Sequence, residues 1–461
     1  MTVVRALRVP PDPIAIARAL AGRPGLAVLA SRPDGAPRPE DARFSFVACD
    51  PVGASEALVP ERAPGLRDRG DPRDPRDPGD AGDPRDPRDP RESSESSERA
   101  PPAPPAPRWV GVVPYEAVRD LERPRWTRDP DDRPACALAR PAWRRYAAVV
   151  RVDHATGEVA IEADDATAAE ALAGAVQKGR GDRRGGFALR PLAADEPDRA
   201  YLDRVRAALD LIAAGDLYQV NLARRISMQL QGDALSLFAS LVDVAPSPWA
   251  FFQDLGSATV VGASPELALS VKGHALRTCP IKGTRPRGRD ADDDARLARA
   301  LDADAKERAE LVMAVDVHRN DLGRVAVPGS VRLFGEPRVV AGRTVWSRVA
   351  EVVARRAPGA SLAEVAAALL PCGSITGAPK ARAMEVIARL EPWRRGAYTG
   401  VFGYVGRGGG TMELAMAIRS LQVEPDGRAR YFAGAGIVAD SDPERELEET
   451  RWKSAQLERL R

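Results

Sequence analysis

The sequence predicts an α+β fold. Two observations carry that prediction: strand-like runs come with adjacent hairpin signals, and helical runs stand apart from them. The chain has 461 residues, 44% of them hydrophobic, enough for a substantial core in one large domain or two ordinary ones.

The elements follow in chain order. Gly25–Ser31, Phe44–Cys49, Trp109–Pro114 and Tyr146–Val152 read as strands within a region, residues 1–190, that mixes sheet and helix. Between them, from about Leu66 to Arg108, the unit Gly-Asp-Pro-Arg-Asp-Pro-Arg-Asp-Pro occurs twice, followed by Ser/Glu and Pro/Ala runs. That segment lacks apolar residues to bury and its prolines remove backbone donors, so a disordered insertion is expected. A second soft stretch, Lys178–Gly186, precedes a second domain at 195–461. There, Asp198–Ala214 has the spacing of an amphipathic helix, and Val260–Ala263 and Leu267–Val271 read as strands. Ala291–Val315 reads as one long helix with acidic residues at its start, where they favour the helix dipole. Val401–Val405 and Met412–Leu421 flank the glycine-rich Gly406–Gly410, a hairpin signal. A last helix starts at Pro443, capped by Ser441 or Asp442.

Composition excludes several classes. Lys and Arg total 68 against 66 Asp and Glu, so no global basic field points to nucleic acid. Cys49, Cys136, Cys279 and Cys372 are far apart and make no metal-ligand spacing, which suits reduced thiols. The N-terminus lacks a signal-peptide core and no segment is apolar enough to span a bilayer. A soluble cytoplasmic protein without a membrane partner is expected.

Chemistry concentrates in short segments of the second region. Pro280-Ile281-Lys282-Gly283-Thr284-Arg285-Pro286-Arg287 sets a lysine beside two arginines. Neighbouring cations and partial burial lower a lysine pKa and make its amine a nucleophile; the alternative is a solvated basic turn. Glu307 and Glu310 on one helix, and Glu446 and Glu449 on another, are pairs spaced to share a helix face, with Lys453 four beyond Glu449. Four such carboxylates suit a hard cation such as magnesium, although such pairs on surface helices are usually just solvated. Gly373–Lys380 and Ala433–Gly436 read as turns whose free amides can hold an anion. Arg419 could fork onto a carboxylate, Tyr404 could donate its hydroxyl, and Glu266, before an apolar strand, could be a general acid.

Taken in order, Asp216–Leu222, Ser264-Pro265-Glu266, Pro280–Arg287, Arg319–Arg324, Gly373–Lys380, Ala417-Ile418-Arg419 and Gly434–Asp440 resemble the chorismate-utilising enzymes. That family includes anthranilate synthase component I, aminodeoxychorismate synthase component I, and the isochorismate and salicylate synthases. The resemblance runs from about Asp198 to the C-terminus, and is loose before it. It implies two antiparallel sheets packed as a sandwich with flanking helices.

Within the family, lysine at the centre of Pro-Ile-x-Gly-Thr marks the aminodeoxychorismate synthase branch, which serves 4-aminobenzoate and folate synthesis. The resemblance then implies that Lys282 attacks chorismate at ring C2 while Glu266 acts as general acid on the departing C4 hydroxyl. Ammonia from a glutaminase partner adds at C4. It also implies Mg²⁺ on Glu310 and Glu449, with Glu307 and Glu446 behind them through water. Arg419, Tyr404, Lys453, Thr376 and the amides of Gly434 and Gly436 would hold the carboxylates of chorismate, beside Gly283 and Thr284. Gln219 stands where water-using relatives place a lysine base, which again points to ammonia. Ser347 stands where the family usually has a histidine tied to pyruvate elimination. Two alternatives remain: anthranilate synthase component I, and a weakened paralogue serving as a binding or regulatory subunit of a glutaminase.

Overall fold

The computed structural model describes residues 2–460 apart from 34–35, 61–104, 123–132, 180–184 and 193–194. Most of the expected insertion and the heart of the Lys178–Gly186 stretch lie outside the described residues. The far end of the insertion departs from expectation, because Pro107–Val113 is a strand paired with Val401–Gly406. Lys178 likewise closes a helix, Ala166–Lys178.

Among the described residues the strands form sheets of twelve, nine and three members, paired antiparallel. The first 190 residues supply strands to both large sheets. Ala27–Ala30 pairs with Trp249–Asp254 in the larger, and Pro107–Val113 enters the smaller.

Period-two alternation makes the two large sheets a sandwich. Along Trp249–Asp254, Trp249 and Phe251 enter the space between sheets, where they join Leu267 and Phe402. Ala250 and Phe252 take the opposite face and pack with Leu237 and Phe238 of helix Ala234–Val244. Phe251 and Phe402 stack across the gap with ring centroids 3.4 Å apart. Helices Pro13–Ala19 and Ala166–Lys178 also pack on the outer face of the larger sheet. Helices Ala305–Gly323 and Leu362–Leu369 cover the smaller. The fold is thus α+β, with helices outside two antiparallel sheets.

Two local expectations need correction. The long helix is two, Ala291–Ala303 and Ala305–Gly323, because Asp304 leaves helical geometry (φ −67°, ψ 113°) and caps the second by accepting from the Glu307 amide. The polar run Asp316–Gly323 is the end of that helix. The strand Met412–Leu421 is also two: Thr411–Met416 belongs to the nine-stranded sheet and Ser420–Val423 to the twelve-stranded one. At the last helix the cap is Asp442, one of the two residues expected: it accepts from the Arg445 amide, while the Ser441 hydroxyl donates to Glu446. The three-stranded sheet, Ile281–Pro286, Val345–Val349 and Arg338–Ala341, has no counterpart in the sequence reading.

Phe402→Ala removes one ring of the stack between the sheets. It should destabilise the chain by about 3–5 kcal/mol in chemical denaturation, whereas a loss under 1 kcal/mol would show the stack to be peripheral.

Candidate active site

The site forms where one strand outruns its neighbour. Arg428–Ile437 pairs along its whole length with Gln219–Gly232 on one side. On the other side Ser420–Val423 pairs only as far as Tyr431, because the chain bends away at Arg419. Beyond Tyr431 that edge carries no strand among the described residues. In an antiparallel ladder the N–H and C=O of one residue point the same way. The Gly434 carbonyl points outward, where the Lys453 ammonium donates to it over 2.8 Å. The Gly434 amide, and that of Gly436 two residues on, therefore share the open edge. These glycines lie in a strand rather than the turn expected, but their amides are still offered to an anion. Side chains are excluded here: a Cβ on Gly434 would lie 2.5 Å from Asn221 Oδ1 and 2.6 Å from the Tyr398 hydroxyl.

Lys282 reaches this edge from the three-stranded sheet. Its strand bulges at Gly283 (φ +71°), between Lys282 paired with Arg348 and Thr284 paired with Ser347. A side chain at Gly283 would strike Leu301 at 2.7 Å, so glycine is required there by backbone and space together. The Lys282 ammonium donates to the Ser374 carbonyl (2.9 Å), and Nζ lies 3.9 Å from where a Gly436 Cβ would be. Ser374 sits in a single helical turn, Gly373–Thr376, and its hydroxyl donates to Glu266 Oε1 over 2.7 Å.

Glu266 is almost fully buried at the start of strand Leu267–Lys272. Burial pushes its carboxyl up to about 7, although the Ser374 hydroxyl and the Lys282 charge pull the other way. A carboxylic acid that holds its proton near neutrality is suited to general-acid work. Behind Lys282 lies His318, fully buried and kept neutral, with its pKa held down to about 3 chiefly by burial. Its Nδ1 is 2.9 Å from the Thr278 hydroxyl, on the strand that leads to Lys282.

The two carboxylate pairs face each other across helices Ala305–Gly323 and Pro443–Ser454. Lys306 lies between them, 3.9 Å from Glu310 and 3.6 Å from Glu446. Burial raises Glu310 above the usual carboxylate range, and the charges of Glu307 and Glu449 add to this. Burial also raises Glu446. For Glu449, burial is outweighed by the Lys453 ammonium at 2.5 Å, leaving its pKa low. Among the described residues no three carboxylate, imidazole or thiolate groups converge at metal-ligand spacing. What stands there is an all-oxygen set of partly buried, mutually repelling carboxylates, the donor chemistry of a hard divalent cation.

Other expectations fare unequally. Arg419 sits at the bend with φ +54°, a left-handed conformation uncommon for a side-chain-bearing residue. Among the described residues its guanidinium has no ion-pair or hydrogen-bond partner, so it is available to an anion. Thr376 is fully buried and its hydroxyl donates to the Cys372 carbonyl (2.9 Å).

Tyr404 is not at the site. It packs between the sheets, its ring 5.6 Å from that of Phe46. The tyrosine that faces the Gly434 edge is Tyr398, stacked on Phe432 (5.1 Å) and within electrostatic reach of Arg419. Arg285 and Arg287 do not supply the cationic field expected around Lys282. Arg285 pairs with Asp304 (2.7 Å) and Glu307 (3.3 Å), and Arg287 with Asp294 (2.5 Å). Asp294 also accepts from Trp346 and the Gly288 amide, so these arginines brace the Lys282 strand.

Comparison with known proteins gives the family and the fold. Residues 73–459 match the family model described as chorismate binding enzyme. Anthranilate synthase component 1 of Streptomyces coelicolor is 41% identical over 372 residues, covering 75% of this chain and 71% of that protein. Its counterpart from Thermus thermophilus is 46% identical over 275 residues, and there the match spans only 58% of the relative's length. The crystal structure of anthranilate synthase component I from Streptococcus pneumoniae superposes with a TM-score of 0.70 at 28% identity, covering 91% of this chain and 92% of that one. The menaquinone-specific isochorismate synthase of Escherichia coli shares the fold, with a TM-score of 0.73 at 18% identity over 100% of this chain and 94% of that one. Matched over most of its length by the family model, this chain belongs to the chorismate binding enzymes.

Proposed function

We propose that the chain is a component I enzyme that aminates chorismate with ammonia, of the anthranilate synthase type. The observation that carries this reading is the arrangement at the open edge. An anion seat at Gly434, Gly436 and Arg419 lies beside a buried carboxyl that keeps its proton near neutrality. Relatives named anthranilate synthase component 1, at 41% and 46% identity, favour amination at ring C2 followed by loss of pyruvate.

A second reading, formation of 4-amino-4-deoxychorismate, is favoured by Lys282. Its ammonium lies one residue's reach from Gly436 and is linked through Ser374 to Glu266. In that reading the deprotonated amine forms a bond to C2, and the C4 hydroxyl leaves as water with the Glu266 proton. Ammonia then bonds to C4 and the C2–N bond to Lys282 breaks. Ser347, opposite Thr284 in the same strand pair, supports this reading too, because it cannot act as the basic histidine would in pyruvate elimination.

In both readings the chain's own residues have the same tasks. The Gly434 and Gly436 amides and Arg419 hold carboxylates, Lys453 and Tyr398 border the seat, and Glu266 delivers a proton to the C4 oxygen. Glu310 and Glu449 would hold Mg²⁺, with Glu307 and Glu446 behind them; when bound, it would neutralise the ring carboxylate. Ammonia would come from a glutaminase partner.

Incubation with chorismate, Mg²⁺ and an ammonium salt, followed by product analysis, separates the readings. Anthranilate supports the first, and 4-amino-4-deoxychorismate that is lost in Lys282→Ala supports the second. Neither product from folded protein would defeat the proposal. Chelation of divalent ions should abolish turnover, and Glu310→Gln should raise the Mg²⁺ concentration needed to restore it. Activity unaffected by chelation would exclude the metal.

Glu266 gives a pH test. Its acid form is the working form, so turnover should fall as pH rises through about 7. Its folded pKa exceeds its unfolded value. The stability it contributes is therefore full below the unfolded pKa and lost as pH rises through about 7. Glu266→Gln should slow turnover roughly a hundredfold or more and flatten that stability decline. An unchanged pH–stability curve would contradict the assigned burial.

A further inference from the structure

We infer that Arg395, paired with Glu391, is a positioning residue that sets Tyr398 and the Asn221–Ala223 backbone against the Gly434–Gly436 edge. This rests on the reading of that edge as the chorismate seat. Both side chains are fully buried, just beyond helix Lys380–Leu390. Arg395 donates from Nε and Nη2 to the two Glu391 oxygens (2.8 and 2.6 Å). Nη2 also donates to the Asn221 carbonyl (2.8 Å), and Nη1 to the Thr399 hydroxyl (3.2 Å). Glu391 Oε1 in turn accepts from the Ala223 amide (2.9 Å). One ion pair therefore holds a carbonyl and an amide of the strand segment that lies opposite Gly436 and Gly434.

The same guanidinium fixes Tyr398 from behind. It lies 4.9 Å from the Tyr115 ring centre and 5.5 Å from that of Tyr398. The Thr399 hydroxyl, which accepts from Arg395, donates to the Tyr398 carbonyl (2.6 Å). Thr399 is held at φ +60°, a costly conformation for a β-branched residue that persists only where its surroundings over-determine it. Its amide donates to the Ala417 carbonyl (3.1 Å), two residues before Arg419. Arg395 thus connects the two flanks of the seat.

Stability alone gives little reason for such a pair. A buried ion pair is often no better for folding than apolar residues of the same volume. Its distinctive property is geometric, since the planar fork serves Glu391, Asn221 and Thr399 at fixed angles, which a lysine cannot do.

The test is a double-mutant cycle in the full chain, assayed with chorismate, an ammonium salt and Mg²⁺. Arg395→Lys should stay folded by circular dichroism and raise KM for chorismate about tenfold, with a smaller change in kcat. Tyr398→Phe should also raise KM, and the double variant should be no worse than the more impaired single one. Multiplied effects, or a folded Arg395→Lys with unchanged KM, would overturn the positioning role. If Arg395→Lys does not fold, Thr399→Ala takes its place in the cycle with the same expectation, and Thr399→Ser should restore KM. A folded wild-type chain that neither binds nor turns over chorismate would defeat the reading of the seat itself, and this inference with it.

Discussion

The site depends on an incomplete strand pairing. Arg428–Ile437 continues past Tyr431 after its neighbour Ser420–Val423 has ended, so its outer amides have no ladder partner on that side. An unpaired backbone edge inside a protein must find other partners. Here Lys453 takes the Gly434 carbonyl, and the glycine amides remain for a ligand. Two glycines are needed because any side chain would strike Asn221, Tyr398 or Gln219. The bend at Arg419 that creates the edge also brings an uncommitted guanidinium to it.

Charge is organised around that edge in two compartments. On one side a single buried carboxyl, Glu266, has its pKa pushed up to about 7 by burial and is hydrogen-bonded to Ser374, whose carbonyl holds the Lys282 amine. On the other side four glutamates crowd together, with Lys306, Lys453 and Arg285 as their ion-pair partners. The first compartment suits proton delivery and the second suits a cation. Arg285 and Arg287, the obvious cations in the sequence, are neutralised by Asp304, Glu307 and Asp294 and serve the backbone. The Lys282 amine is thus surrounded by carboxylates rather than by arginines.

Much of this was legible in the sequence where it is encoded locally. The glutamate pairs lie on shared helix faces because the spacing demands it, and the helix starting at Pro443 carries its cap beside it. The break at Asp304 was also legible: Asp304 with Glu307 three residues on has the pattern of a helix start, masked by continuous helical periodicity on both sides. Tyr404 and Tyr398 show what local pattern cannot give. Both are buried tyrosines a few residues apart, and only sheet packing decides that one faces Phe46 between the sheets and the other Gly434. The partners of Arg285 and Arg287, and the three-stranded sheet itself, depend on contacts distant in sequence. The features that bear on the proposed product are local again. Lys282 and Ser347 favour one answer while the named relatives favour the other.

The most direct measurement is a crystal structure of the chain with chorismate and Mg²⁺. The account predicts a substrate carboxylate on the Gly434 and Gly436 amides or Arg419, with the C4 oxygen within about 3.2 Å of Glu266. Chorismate bound away from that edge, or Glu266 pointing away from the ring, would contradict it.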